Sequence, residues 1–454
     1  MERLRKLLYG EQTYEPIEDG DVADEPHREA PVVKEPTFSS LDYAIFIVLG
    51  ISMLWAWNMF LAAGPYFRRR FRSNEWISNN FQAAEISVST VTNLSSMLLL
   101  TRLQTKASYP KRIVASLLIN MVVFTLLALS TSILLDVSAK GYFAFLMIVM
   151  VSTSLATALC QNGIFAYVSG FGQPSYTQGI MTGQAIAGVL PCIAQIVSVL
   201  SIQGDTPPPL GSEEADAPPE PPPVPSEAAL AYFSTACVVA LTALLAFAFL
   251  LARHRRPIKV QHAGTSTPSD SEPPKAAVPL RVLFGKLRWL ASAVFLTFAI
   301  TMLFPVYTQE ILSVRPPTDQ PLLLQPATFI PLAFLFWNVG DLLGRLLTSI
   351  PSLSLVLRPR LLFALAVSRI VFIGLYQLCN IRDRGAIVSS DFFYLVVVQL
   401  LFGLSNGFLG SSCMMGAGEW VEAEEREVAG GFMGLCLVGG LCVGSLGSFV
   451  VAGA

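Results

Sequence analysis

The sequence predicts an all-α integral membrane protein with eleven transmembrane helices arranged six plus five. Three observations predict it. The residues AVILMFWYC make up 53% of the 454-residue chain and the charged residues only 14%, against roughly 25% charged in an ordinary soluble domain. Mean hydropathy is +0.56. The apolar residues gather in runs of about twenty, the length a helix needs to cross a hydrocarbon core roughly 30 Å thick. A water-soluble globule is excluded, and so are a nucleic-acid-binding surface and a disulfide scaffold, because the charges are sparse and lie between the apolar runs. The seven cysteines (Cys160, Cys192, Cys237, Cys379, Cys413, Cys436, Cys442) sit within or at the ends of apolar segments. No Cys/His pair spacing of a metal site occurs, so free thiols and no metal or cofactor are expected.

Residues 1–40 are polar and acidic and lack the charged-then-apolar start of a cleavable signal peptide, which predicts a retained, disordered cytoplasmic tail. Six spans follow, at 41–64, 78–101, 112–135, 141–169, 177–201 and 228–252, forming an N-terminal bundle over 41–252. Within it, 202–227 is a proline-rich acidic loop running Pro207 to Pro225. A basic, Ser/Pro-containing linker is expected over 253–286. Five further spans, at 287–308, 326–350, 360–380, 390–416 and 428–452, make the C-terminal bundle 287–454.

The charges between spans predict orientation. With the N-terminus in the cytoplasm, twenty of the 30 Lys/Arg residues fall on the inner side, eight of them between Arg253 and Arg288, and eight fall outside with the acidic proline loop. The positive-inside rule therefore places the N-terminus inside and the C-terminus outside, although the Arg68-Arg69-Arg70-Phe71-Arg72 run opposes it.

The embedded polar residues carry the chemistry. An ionisable group at mid-membrane costs roughly 2.5–3.5 kcal/mol on insertion scales, so it normally faces a partner or a wet cavity. In FWNVGDLLGRLLTS, Asp341 and Arg345 are spaced i, i+4 with Asn338 one turn earlier on the same face, beside Gly340 and Gly344. Such a face lines a polar cavity where another group approaches closely; mutual neutralisation of Asp341 and Arg345 inside the bundle is the alternative. Arg369 reads as a helix-stabilising or gate ion pair, or as a substrate contact. Glu85 reads as a proton carrier or a buried hydrogen-bonded acid. The fourth span carries Gln161 and Asn162 and leads through a Gly/Pro/Ser/Tyr loop into Met181-Thr-Gly-Gln184. Amides at that depth suit a neutral ligand with several donors and acceptors, or a helix–helix clamp. In the first span Trp55-Ala56-Trp57-Asn58 stands at mid-helix, where an indole offers a stacking platform for a planar ring.

These residues resemble the equilibrative nucleoside transporter family over nearly the whole chain. The resemblance rests on Gly50, Leu54, Trp57, Asn58 and Pro65 to Phe67; on the Gln161 segment running into Met181-x-Gly-Gln; on Asn338, Asp341, Gly344 and Arg345; on the Arg369…Cys379-Asn380 helix; and on Ser405-Asn406-Gly407. Ala56 stands where the family usually has proline, and the loop after the fourth helix has altered spacing. The resemblance implies a fold related to the major facilitator superfamily that moves nucleosides down their gradients by alternating access. It also implies that Asp341 and Arg345 contact ribose hydroxyls, Gln161 bonds the base, Asn338 supports the same site, and Leu54, Trp57 and Leu61 shape its wall.

A membrane enzyme or receptor is the rival class, but no metal cluster, nucleophile elbow, phosphate loop or lipid-transferase signature occurs, and the three histidines (His27, His254, His262) all lie outside the spans. No filter-like loop supports a channel. A major-facilitator-type carrier of a sugar or another small polar solute, with or without proton coupling, is the runner-up. Tyr14-Glu15-Pro16-Ile17 matches a tyrosine-x-x-bulky-apolar sorting signal read by a coat adaptor. The only N-x-S/T sequon, Asn93-Leu94-Ser95, lies inside the second span, where no glycan can be attached. A vacuolar or lysosomal membrane is thus expected, with the plasma membrane as the alternative.

Overall fold

In a computed structural model the residues described are 38–104, 107–204, 226–254, 278–316, 318 and 320–452. The tail to residue 37 with its Tyr14–Ile17 motif, residues 205–225 of the acidic loop and residues 255–277 of the basic linker lie outside them.

Eleven of the described helices are long and apolar enough to cross a membrane. They are α1 Ser40–Ala62, α2 Glu75–Arg102, α3 Tyr109–Ile133, α4 Ala139–Ser169, α5 Pro174–Gly204, α6 Ser226–Arg253, α7 Leu280–Glu310, α8 Pro326–Leu347, α9 Pro359–Tyr376, α10 Phe393–Glu419 and α11 Arg426–Ala452. Polar side chains set several starts: the Asn74 oxygen takes the Ile77 amide at 3.1 Å, and Ser138 takes that of Gly141. A short helix, Gly64–Arg70, follows α1. Asn93 lies within α2.

Two expected boundaries are corrected. α7 begins at Leu280, inside the predicted linker 253–286. Its charged residues Arg281, Lys286 and Arg288 are exposed while Leu283 and Leu287 are buried, so one amphipathic turn was hidden by its charges. α9 ends at Tyr376, short of the predicted 380. There the Asn380 side chain donates to the Ser313 carbonyl at 3.2 Å and accepts from the Gly385 amide at 3.1 Å. Arg382 and Asp383 hold φ of 52° and 56°, so this segment is a turn.

Glycines set the closest helix pairs. A Cβ on Gly50 of α1 would lie 2.1 Å from the Ile180 carbonyl oxygen of α5, and one on Gly183 would lie 2.1 Å from that of Ile47. The same holds for α8 and α10, where Gly340 and Gly344 interleave with Gly403 and Gly407. Small residues let backbones approach without the hydrophobic driving force that water supplies.

The apolar cores show how the halves meet. One cluster, around Phe67, Phe124 and Phe233, belongs to the N-terminal half alone, and another, around Tyr376 and Phe402, to the C-terminal half alone. The third spans both halves and draws on the start of α1, the end of α4, the start of α5 and α7, the end of α10 and the start of α11, joining Phe46, Phe165 and Met181 to Leu290, Met414 and Met433. Successive helices run in alternating directions, so all of these segments lie at one end of the bundle. The halves are closed on each other there, and each keeps a separate core at the opposite end.

Candidate functional site

The site is built on α8. Arg345 donates from Nε to Asp341 Oδ2 at 2.7 Å across one turn of the helix, the mutual pairing that the sequence offered as the alternative, and both side chains are buried. This pair reaches both halves of the protein. The Arg345 Nη1 donates to the Met181 carbonyl at 2.6 Å and to Gln184 Oε1 at 3.2 Å, both on α5, and Gln178 Nε2 donates back to the Arg345 carbonyl at 3.2 Å. On the other side Asn406 of α10 donates to Asp341 Oδ1 at 2.7 Å. Thr301 donates to Asn406 Oδ1 at 2.6 Å, and Arg369 Nη2 donates to Thr301 at 3.1 Å. One chain of bonds thus runs from Gln184 through Arg345, Asp341, Asn406 and Thr301 to Arg369.

The glycines explain why Asn406 reaches Asp341. A Cβ on Gly407 would sit 1.9 Å from the Asp341 carbonyl oxygen, and one on Gly344 would sit 2.1 Å from that of Leu404. With hydrogens in those places the helices press together and the amide spans the gap.

The pair retains bonding capacity. A carboxylate offers about four lone-pair directions, of which Asn406 and Arg345 use two, and a guanidinium has five N–H donors. Among the described residues Nη2 of Arg345 has no hydrogen-bond partner. Asp341 thus keeps acceptor capacity and Arg345 donor capacity beyond their mutual bond.

Asn338 lies one turn before Asp341 and faces α5, donating to the Phe334 carbonyl at 2.9 Å and contacting Cys192 Sγ at 3.6 Å. A Cβ on Gly188 would meet its Oδ1 at 2.3 Å. Arg369 is 1% exposed and bonds to neutral oxygens: Nη1 to the Thr297 carbonyl at 2.5 Å, Nε to Ser405 at 3.1 Å, and its guanidinium 4.5 Å above the Phe402 ring.

The other predicted residues stand apart from this chain of bonds. Gln161 is buried on α4 with Oε1 lacking a partner. One turn on, the Phe165 carbonyl is met by Gly430 of α11, so Gln161 lies on the face where the halves touch. Glu85 is buried on α2, and its Oε1 also lacks a partner. Leu54 and Trp57 are half-buried on α1, Trp57 against the N-terminal core, and Asn58 donates to the Ala187 carbonyl of α5 at 2.6 Å. Leu61 is 54% exposed at the end where the cores separate. Trp55 donates to Thr235 of α6 at 3.3 Å, which holds that indole in the N-terminal half.

Eleven membrane-crossing helices, two halves closed at one end, and a charged pair buried where they meet define a membrane transporter. Solved structures agree on the fold. The chain covers 91% of itself and 92% of the fucose transporter FucP in the outward conformation at TM-score 0.54 and 14% identity. It covers 91% of both chains against the proton:xylose symporter XylE at TM-score 0.59 and 11% identity. The fold is thus that of the major facilitator superfamily. The family model for nucleoside transporters matches residues 145–262 and 251–452. The chain belongs to that transporter family and is no enzyme. It is 28% identical to the nucleoside transporter FUN26 of Saccharomyces cerevisiae, covering 94% of this chain and 87% of that one. It is 29% and 27% identical to the rat and human equilibrative nucleoside transporters 1, in each case over 90% of this chain and 96% of the relative.

Proposed function

We propose that the protein moves nucleosides across a membrane by alternating access, as facilitated diffusion, with Asp341 and Arg345 holding the ribose hydroxyls. The observation that carries this reading is the buried pair with spare lone pairs and a spare Nη2, tied at once to α5 in one half and to α10 in the other. A solute bound there changes the contacts of both halves, which is what a two-state transporter requires of its substrate. A neutral, ring-bearing, polyhydroxylated solute fits an acid, a guanidinium and surrounding amides. Asn338 supports the site, and Leu54, Trp57 and Leu61 form its wall toward the open end. Nucleosides should raise the thermal midpoint of the purified protein by mass action, whereas hexoses should not. Stabilisation by hexoses alone would assign the protein to the sugar carriers.

Gln161 reads the base, because its unpaired Oε1 and its amide offer one acceptor and one donor to a ring edge. Gln161→Ala should reorder the ranking among nucleosides, by roughly fivefold to tenfold for the one that loses its bond. An equal loss for every nucleoside would make Gln161 a packing residue. Arg369 holds the helices of the C-terminal half in register at mid-membrane depth. Glu85 carries no obligatory proton; concentrative uptake driven by a pH gradient and lost in Glu85→Gln would contradict this.

The twenty-to-eight division of Lys/Arg supports a cytoplasmic N-terminus, which makes the closed end cytoplasmic. We place the protein in an acidic storage compartment, with Tyr14–Ile17 engaging a sorting adaptor. The tagged protein should be found on internal membranes and shift to the cell surface in Tyr14→Ala. Surface fluorescence for both forms would rule this out.

A further inference from the structure

At the closed end, between the first turns of α7, the start of α9 and the α10–α11 loop, lies a cavity of about 560 Å³ that the transport site does not use. Its lining includes four cations, Lys286, Arg288, Arg358 and Arg360, and two tryptophans, Trp289 and Trp420. Lys286 is engaged by Glu425, at 2.6 and 2.8 Å. Among the described residues no carboxylate pairs with Arg288, Arg358 or Arg360, and all three are exposed. The acidic α10–α11 loop thus neutralises one cation and leaves three charges facing the cavity.

Depth is given by the helices. α7 has 31 residues, and at 1.5 Å per residue it runs about 46 Å, well beyond a hydrocarbon core of roughly 30 Å. Its cavity-lining residues, Gly285 to Leu290, stand about 8–15 Å from its first residue by the same rise, at the level of lipid headgroups. Pro359 is the first residue of α9. The rim is apolar and open: Leu357, just before α9, is 72% exposed, and Leu361, in its first turn, is 40% exposed. Tryptophans at this level are interfacial residues; Trp289 is half-buried, with Phe363 at 5.4 Å and the Arg288 guanidinium at 5.6 Å.

We propose that this cavity binds the phosphate-bearing headgroup of an anionic membrane lipid, with Arg288, Arg358 and Arg360 on the phosphate, Trp289 and Trp420 flanking it, and the acyl chains running inward past Leu361. A basic pocket between transmembrane helices at the membrane surface is complementary to such a headgroup in charge and in depth. A soluble phosphate shares the charge but gains nothing from the apolar rim.

The test uses the full-length protein in vesicles of phosphatidylcholine to which brominated phosphatidylserine or brominated phosphatidylcholine is added, reading tryptophan quenching. The serine lipid should quench more at equal mole fraction, and the difference should vanish in Trp289→Phe/Trp420→Phe. With about fivefold affinity per arginine near a lipid surface, Arg358→Gln/Arg360→Gln should shift the serine-lipid titration roughly thirtyfold, and Arg358→Lys/Arg360→Lys should retain most of the affinity. The glutamine variant touches no residue of the transport site, so its uridine uptake in phosphatidylcholine vesicles should match the unaltered protein. Equal quenching by both lipids, an unshifted titration in the glutamine variant, or displacement of the quencher by glycerophosphate would each overturn the proposal. The last result would assign the site to a soluble phosphate.

Discussion

Asp341→Asn and Arg345→Lys are each expected to cut uridine uptake by roughly a hundredfold while leaving the protein in the membrane at near-normal levels. The size follows from the bonds lost: hydrogen bonds to a charged group contribute about 1.5–3 kcal/mol each, and every 1.4 kcal/mol is tenfold in affinity. Asparagine keeps the shape of Asp341 but replaces one acceptor oxygen by a donor, which collides with the Asn406 amide or the Arg345 guanidinium. Lysine keeps the charge of Arg345 but cannot reach Asp341, Met181 and Gln184 together with a planar fork of donors. The charge-swapped pair, Asp341→Arg with Arg345→Asp, should be inactive as well, because Asn406 and the Met181 carbonyl are matched to the present order. Normal transport by the swapped protein would reduce the pair to a neutral plug.

The second large effect is expected at a residue with no polar side chain. In Gly407→Ala the new methyl carbon falls 1.9 Å from the Asp341 carbonyl oxygen, which α8 and α10 can relieve only by moving apart. Overpacking of this kind costs about 1–3 kcal/mol. The separation also stretches the 2.7 Å bond from Asn406 to Asp341, so uptake should fall further than the lowered thermal midpoint accounts for. The control is Gly374→Ala, whose Cβ meets nothing within 4 Å and which should leave uptake unchanged. Equal behaviour of the two variants would show that the α8–α10 contact does not position Asp341.

The eleven spans are legible because lipid requires long apolar helices, and the spacing of Asp341 and Arg345 places both on one helical face, though it leaves open whether they pair with each other. Gly340 and Gly344 announced a close neighbour without naming it. The neighbour, α10 with Gly403 and Gly407, and the Asn406 bridge depend on contacts between helices far apart in the chain, on which periodicity is silent. The same applies to Thr301 and Arg369: they lie in two other spans, and only the fold makes them links from Asp341. The α7 start is masked because its first turns carry their charges on the exposed side, and the α9 end because Leu378 and Cys379 prolong the apolar run past the last helical residue. Gln161, Glu85 and Leu61 lie outside the bonded chain, and their roles rest on the proposed path of the solute.

Radiolabelled uridine entry into liposomes holding the purified protein, measured with no ion gradient, shows whether the protein equilibrates nucleosides. Uridine should enter until its concentration inside equals that outside and stop there, with unlabelled adenosine competing, a pH gradient leaving the plateau unmoved, and Asp341→Asn liposomes filling no faster than protein-free ones. Uptake of hexoses in place of uridine would make the protein a sugar carrier, and wild-type rates from the Asp341→Asn protein would show that Asp341 does not hold the solute.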